Sequence, residues 1–124
     1  METRIVLIID DDAGVRESTA ALLRTAGYGV IEAVDGNEGL DRLRRGDPVD
    51  VVLLDLHMPG VDGFGVLDAV EDPPPIVVVS ALEYFTAQDV LGRFGDKVSA
   101  VVQKPVAPQR MLAIVAEVAG EPGH

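Results

Sequence analysis

Four places in the chain carry groups that could do chemistry together. "IVLIIDDD" ends in Asp10, Asp11 and Asp12. "VVLLDLHMPG" carries an apolar run into Asp55 and breaks at Met58-Pro59-Gly60. "IVVVSA" closes on Ser80, and "VVQKPV" places Lys104 ahead of Pro105. Carboxylates gathered within a few ångströms repel one another, and each raises the proton affinity of its neighbours. A hard divalent cation keeps them ionised. Oxygen ligands, the absence of cysteine and the lack of a nearby histidine pair point to Mg2+ or Mn2+ rather than Zn2+. A cation, an ammonium and a hydroxyl around one carboxylate suit an incoming phosphoryl group. They neutralise its equatorial oxygens while Asp55 attacks in line.

Those residues are useful only if the fold brings them together, and the hydrophobic pattern describes such a fold. "RIVLII", "VDVVLLD" and "IVVVSA" are apolar throughout, as strands buried on both faces are. "YGVIEAV" and "SAVVQK" read as two further strands. Between them lie helical patterns. Val15, Leu22, Leu23 and Ala26 fall near helical spacing ahead of Gly27. "DGNEGLDRLRRG" reads as a helix started by Asp35, ended by Gly46 and turned inward at Leu40 and Leu43. "GFGVLDAVED" is a short helix halted by Pro73, Pro74 and Pro75. "TAQDVLGRFG" is a weaker helix, and Met111, Ile114, Val115 and Val118 mark a last one from Pro108, with Gly120 beyond its end. Five β-α units in strict alternation imply an α/β fold, a parallel sheet with helices on both faces. Sites in such folds lie beyond the carboxyl ends of the strands, at the switch point in strand order. Asp10 and Asp11 follow the first strand, Asp55 ends the third, Ser80 ends the fourth and Lys104 follows the fifth.

Taken singly, each group has a plainer reading. Asp10 to Asp12 could cap the first helix, and Asp12 is expected to do so. Asp55 could open a turn with Pro59 and Gly60. Lys104 could be a solvated charge, and Ser80 a strand-end hydroxyl bonded to backbone. The weight comes from all four lying at successive strand ends in order.

Composition narrows the possibilities. The 124 residues suit one domain, and nearly half are apolar, enough for a core. Without cysteine there is neither a disulfide framework nor a thiolate metal site. The first residues do not make a signal peptide, and no stretch approaches a membrane span. Twenty-one acidic residues against ten basic ones give a net charge of −11, a poor surface for nucleic acid. The same charge could suit a divalent cation or a basic partner, or simply keep a small domain soluble.

The stretches "VLIIDDDAGVRE", "DVVLLDLHMPGVDGFGVL", "IVVVSA" and "VVQKPV" resemble, over nearly the whole chain, the receiver domains of two-component response regulators of the chemotaxis-regulator type. The resemblance implies a flavodoxin-like, doubly wound fold with five parallel strands in the order 2-1-3-4-5. It implies that Asp55 is the phosphoacceptor, that Asp11 binds Mg2+ (or Mn2+) directly, and that Asp10 acts largely through water. The main-chain carbonyl of His57 would complete the protein ligands, with the His57 side chain facing solvent. Ser80 and Lys104 would pair with the phosphoryl group, and a cis bond often precedes the residue matching Pro105. The phosphodonor would be a sensor histidine kinase or a phosphotransfer protein. The signal would pass to a downstream protein or to a C-terminal output domain, from a cytoplasmic monomer or phosphorylation-dependent homodimer. Residues 1–120 would form the receiver, and 121–124 a tail or the start of a linker. Direct nucleic-acid binding by this chain and membrane insertion are not expected. The domain would catalyse only its own phosphorylation and dephosphorylation.

Some positions depart from the family pattern. Val101 stands where a switch aromatic is usual, and Val106 where phenylalanine often follows Lys-Pro. Without a ring at 101, the signal is expected to leave through the loop after Ser80 and the fourth helix. In "EYF", Tyr84 is expected to be exposed and Phe85 to pack under the fourth helix. Two other functions compete. An aspartate-nucleophile phosphatase of the haloacid dehalogenase type uses similar groups, but needs D-x-D-x-T/V after its first strand and room for a substrate cap. A receiver-like scaffold that binds proteins without taking phosphate needs none of the acceptor residues present here. A dinucleotide-binding site needs glycines where this chain has acids.

Overall fold

Successive residues of a strand face opposite sides of a sheet, so a strand covered on both faces must be apolar at every position. A computed structural model of the chain follows this rule at its centre. The elements alternate as β1 (Ile5–Ile9), α1 (Ala13–Thr25), β2 (Gly29–Ala33), α2 (Gly36–Arg44), β3 (Val51–Leu54), α3 (Gly63–Ala69), β4 (Ile76–Ser80), α4 (Ala87–Phe94), β5 (Val98–Gln103) and α5 (Pro108–Ala119). The structure describes residues 3–57, 62–82 and 85–123; the break at Met58-Pro59-Gly60 and the side chain of Tyr84, singled out above, lie outside the described residues. All strand pairs are parallel, in the order β2-β1-β3-β4-β5. The three continuous apolar runs are the central strands β1, β3 and β4. The mixed sequences of β2 and β5 lie at the edges, where they are only partly covered.

Period-two alternation divides the core in two. Leu7, Ile9, Val52, Leu54, Ile76 and Val78 face Leu40 of α2, Val66 and Leu67 of α3, and Val90 and Phe94 of α4. Val6, Ile8, Val51, Leu53, Val77 and Val79 face Ala20 and Leu23 of α1, and Met111, Ile114 and Val115 of α5. Helices thus cover both faces.

Local chemistry sets the boundaries. Asp12, Asp35 and Asp62 each accept a main-chain N–H at the start of a helix, from Val15, Glu38 and Gly65. Thr86 and Asp89 bond reciprocally at the start of α4, so this segment is better specified than its short apolar pattern suggested. Two boundaries differ from expectation. β3 stops at Leu54, so Asp55 is the first residue beyond the strand rather than its last. α3 ends at Ala69, ahead of the prolines. The residue before a proline is disfavoured in helical conformation, and Asp72 before Pro73 takes φ +47°. In α1, Leu22, Leu23 and Ala26 turn to the core as expected, but Val15 is exposed and the neighbouring Arg16 is buried in its stead.

The β3–α3 connection brings helix and strand into direct contact. A Cβ on Gly63 would fall on the carbonyl oxygen of Asp55 and 2.5 Å from Cα of Leu56, so only glycine lets α3 start this close to the end of β3. Gly92 of α4 has nothing within 4 Å of its missing Cβ. Gly63→Ala should therefore cost about 1–3 kcal/mol, as overpacking does. Gly92→Ala should gain about 0.5–1 kcal/mol by raising helix propensity. Urea unfolding checks both: the midpoint should fall for the first and rise for the second at constant slope. A neutral Gly63→Ala would mean that the helix does not abut the strand as described.

Candidate acceptor site

The pairing of β1 with β3 builds the site. Ile9 lies opposite Leu54, and the Asp55 N–H donates to the Ile9 carbonyl at 3.0 Å. One residue further on, Asp10 and Asp55 therefore emerge side by side. Both are buried, at 4% and 7% exposure, while Asp11 is exposed at the mouth. Carboxylate oxygens of Asp10, Asp11 and Asp55 all lie within 4.8 Å of one another. Among the described residues, this group has the composition of a hard-cation site: oxygen donors only, from residues on two adjacent strand ends. The donors fit Mg2+ or Mn2+.

Lys104 supplies the opposite charge. β5 pairs with β4 so that Ser80 faces Gln103, and the Lys104 N–H donates to the Ser80 carbonyl at 2.8 Å. From this anchor its Nζ reaches Asp10 Oδ2 at 2.8 Å and Asp55 Oδ2 at 3.5 Å. The Lys104–Pro105 bond is cis, as the resemblance implied. Ser80 itself is fully buried, and among the described residues its Oγ has no hydrogen-bond partner. A buried hydroxyl without a partner loses its hydration for nothing in return unless an incoming oxygen accepts its hydrogen bond. No backbone group of the described residues takes that bond, as the plainer reading of Ser80 would require.

Two pKa shifts follow from this geometry. Burial raises Asp55 above its ordinary value of 3.8; the His57 N–H and the Lys104 charge pull it back, and the charge of Asp10 pushes it further up. Burial alone would lower Lys104. Its hydrogen bond to Asp10 and the charges of Asp10 and Asp55 outweigh that, and it is raised above 10.5. The charged form of Lys104 is therefore favoured by its surroundings, while burial disfavours the charged form of Asp55.

The remaining expected residues are placed as follows. The His57 N–H donates to Asp55 Oδ1 at 3.2 Å, which holds the main chain against the carboxylate. The His57 ring is exposed, and it stacks on Phe85 with centroids 5.6 Å apart. Phe85 also meets Phe64 of α3 edge-on at 5.0 Å. Phe85 is thus half-buried on the side of the core that includes Val90 and Phe94 of α4, and its ring also meets His57 and Phe64. Val101 pairs with Val78 and, like Phe85, packs against the α2–α3–α4 side of the core. The sequence reading missed Arg16, whose Nη1 donates to the Asp10 carbonyl at 2.8 Å. An arginine in an amphipathic helix reads as a solvated charge, and nothing in its spacing says otherwise.

Comparisons with known proteins agree with this geometry. The response regulator receiver domain model matches residues 6–116. The chain is 36% identical, over 123 residues, to the "Probable transcriptional regulator ycf27" of Porphyridium aerugineum, covering 95% of this chain and 49% of that protein. It is 36% identical over 102 residues to a protein-glutamate methylesterase/protein-glutamine glutaminase of Anaeromyxobacter dehalogenans, covering 81% of this chain and 29% of that protein. The chain therefore spans half or less of the length of these curated relatives. Among solved structures, the CheY-like receiver domain protein of Methanospirillum hungatei superposes with a TM-score of 0.82 at 29% identity, covering 96% of each chain.

The sign of the Asp55 shift gives a test. A carboxyl group raised in the native state binds more protons there than in the unfolded chain. Its contribution to stability falls as pH rises from 3.8 through its folded value, and the full cost is present at neutral pH. Asp55→Asn should therefore raise the melting temperature at pH 7. The advantage should shrink as pH is lowered toward 3.8. Thermal unfolding of both proteins across this range measures it, and a less stable Asp55→Asn at pH 7 would contradict the assignment. The Lys104 contribution also falls with rising pH, but it is favourable at pH 7: it is fully present below pH 10.5 and is lost as pH rises through the raised value.

Proposed function

The chain belongs to the response regulator receiver domain family, and on that premise we propose that it is a phosphoacceptor switch in which Asp55 takes a phosphoryl group from a phosphohistidine. The donor is the phosphohistidine of a sensor histidine kinase or of a phosphotransfer protein. One observation carries the reading: a buried carboxylate at a strand end is touched by an ammonium and flanked, on the next strand, by a buried hydroxyl with no partner of its own. A structural ion pair needs no such hydroxyl. A phosphoryl group on Asp55 has oxygens for both.

In the transfer, an Asp55 carboxylate oxygen attacks phosphorus, the P–N bond to the donor imidazole breaks, and the imidazole nitrogen keeps the electron pair. Lys104 holds its charge where a phosphoryl oxygen arrives, and Ser80 donates its hydroxyl to another. Asp10 Oδ2 holds Lys104 Nζ in this position at 2.8 Å. Asp10, Asp11, Asp55 and the main-chain carbonyl of His57 would hold Mg2+ or Mn2+, which would neutralise the charge that builds on the equatorial oxygens. Because the phosphoryl group draws Ser80 toward Asp55, the loop after Ser80 moves with it. With valine at 101, the aromatic contact of that loop is made by its own Phe85, set between His57 and Phe64. The α4–β5–α5 face then carries the read-out to a downstream protein or output domain.

No described helix is long and apolar enough to cross a membrane. A cytoplasmic, kinase-facing domain that turns over only its own phosphoryl group fits the site, and the esterase activity named for one relative is not assigned to this chain. A scaffold that never takes phosphate is the less favoured reading, since it leaves the orphaned Ser80 hydroxyl unexplained.

Incubated with Mg2+ and acetyl phosphate, the chain should gain one phosphoryl group, released by hydroxylamine as acyl phosphates are. Intact mass measures the gain. Asp55→Ala should abolish it, and Lys104→Ala should slow it by about a hundredfold or more, the scale of losing one preorganised electrostatic contact. Stoichiometric phosphorylation of Asp55→Ala at another aspartate would overturn the assignment.

A further inference from the structure

Asp10 is held at every polar group it has. Its N–H donates to the Ala33 carbonyl at 3.2 Å. Its Oδ1 accepts the Asp12 N–H at 2.9 Å, and its Oδ2 accepts Lys104 Nζ at 2.8 Å. The fourth group, its carbonyl, accepts Arg16 Nη1 at 2.8 Å. The first three belong to the strand, the turn and the site just described. The fourth comes from a charged side chain on α1 that is only 9% exposed. A buried guanidinium is costly, and an apolar side chain of similar size would pack against the sheet without that penalty.

Arg16 is oriented in turn. Its Nε lies 3.4 Å from Glu32 Oε1 on β2, a charge contact without hydrogen-bond alignment. The other oxygen of Glu32 accepts Arg24 Nη1 at 3.2 Å, and Arg24 Nη2 donates to the Val30 carbonyl at 3.2 Å. A chain of contacts thus runs from the edge strand through Glu32 and Arg16 to the Asp10 carbonyl. The peptide unit is planar, so fixing that carbonyl fixes the plane that carries Cα of Asp11. Asp11 is the exposed member of the carboxylate trio, and among the described residues no hydrogen bond of its own carboxylate holds it against the other two.

We propose that Arg16 is a positioning residue for the cation site. Through the Asp10 carbonyl it sets the direction from which Asp11 meets the metal, and Glu32 keeps Arg16 in place. The inference rests on the proposed reading of Asp10, Asp11 and Asp55 as a Mg2+ site.

The test is a Mg2+ titration of the full chain by calorimetry, with amide hydrogen exchange of Asp12 followed in metal-free protein. Arg16→Gln should weaken Mg2+ binding about tenfold, the usual scale for losing a group that orients a metal ligand. It should also speed exchange of the Asp12 amide, which depends on Asp10 staying in place. Arg16→Lys, which keeps the charge but not the planar fork, should fall between this variant and the wild type. Should Arg16→Gln fail to fold, Glu32→Gln decides, with a few-fold loss of Mg2+ affinity expected. A lower melting temperature with unchanged Mg2+ affinity and unchanged Asp12 exchange would overturn the inference and leave Arg16 a structural residue. Loss of binding in Asp11→Asn alongside that result would leave the cation site standing. Equal binding in Asp11→Asn and wild type would remove the cation site and this inference with it.

Discussion

Two carboxylates one residue beyond adjacent parallel strands must ionise side by side, away from most of the solvent, and the site is arranged around that repulsion. The β1–β3 register dictates it: with Ile9 opposite Leu54, Asp10 and Asp55 have nowhere else to go. One ammonium, Lys104 Nζ, lies within ion-pair distance of both. It compensates only in part, since burial still raises Asp55 above its ordinary value. The cost is borne by the central strands, whose continuous apolar sequences bury both faces of the sheet. The surrounding core can hold an acceptor that is not at ease in its own surroundings. A phosphoryl group or a cation then meets carboxylates already gathered and desolvated, with little left to reorganise.

The strand ends divide the labour. On the proposed reading, β1 contributes the acids for a cation, β3 the acceptor, β4 the hydroxyl and β5 the ammonium. Each main chain is tied to its neighbour at that level, Asp55 to Ile9 and Lys104 to Ser80. Displacement of Ser80 is therefore felt by the start of the β5–α5 connection, and the loop after Ser80 leads to Phe85 and so to His57, two residues past the acceptor. With a valine at 101, this aromatic contact is the feature of the described structure that joins the acceptor strand end to the β4–α4 loop. A signal leaving here has a short way to travel before it reaches α4.

Much of this could be read from the sequence because it depends on strong, local signals. Unbroken apolar runs ending in Asp10, Asp55 and Ser80 mark central strands, and their order along the chain places those residues at one end of the sheet. Asp12 and Asp35 announce helix starts by residue type alone. What was not legible depends on distances between segments far apart in sequence. Arg16 resembles any solvated helix arginine until the Asp10 carbonyl is seen beside it. Gly63 is one of thirteen glycines, and only the approach of the Asp55 carbonyl makes it necessary. Phe85 packs on the side of the core that includes α4, as its apolar character implies, but its ring contacts with His57 and Phe64 join segments far apart in sequence. The helical pattern of α3 runs on to the prolines, whereas the chain is already extended at Val70.

If carboxylate repulsion organises the site, a divalent cation must stabilise the fold by relieving it, and the relief must pass through Asp11. The most direct measurement is the melting temperature of the wild type and of Asp11→Asn with and without Mg2+. At ten times its dissociation constant, a ligand bound only by the native state contributes roughly 1.4 kcal/mol, which in a domain of this size raises the melting temperature by about 5 °C. The account predicts that shift in the wild type, its near-absence in Asp11→Asn, and a metal-free variant at least as stable as the metal-free wild type. An equal Mg2+ response in the two proteins, or a metal-free Asp11→Asn that melts well below the wild type, would contradict it.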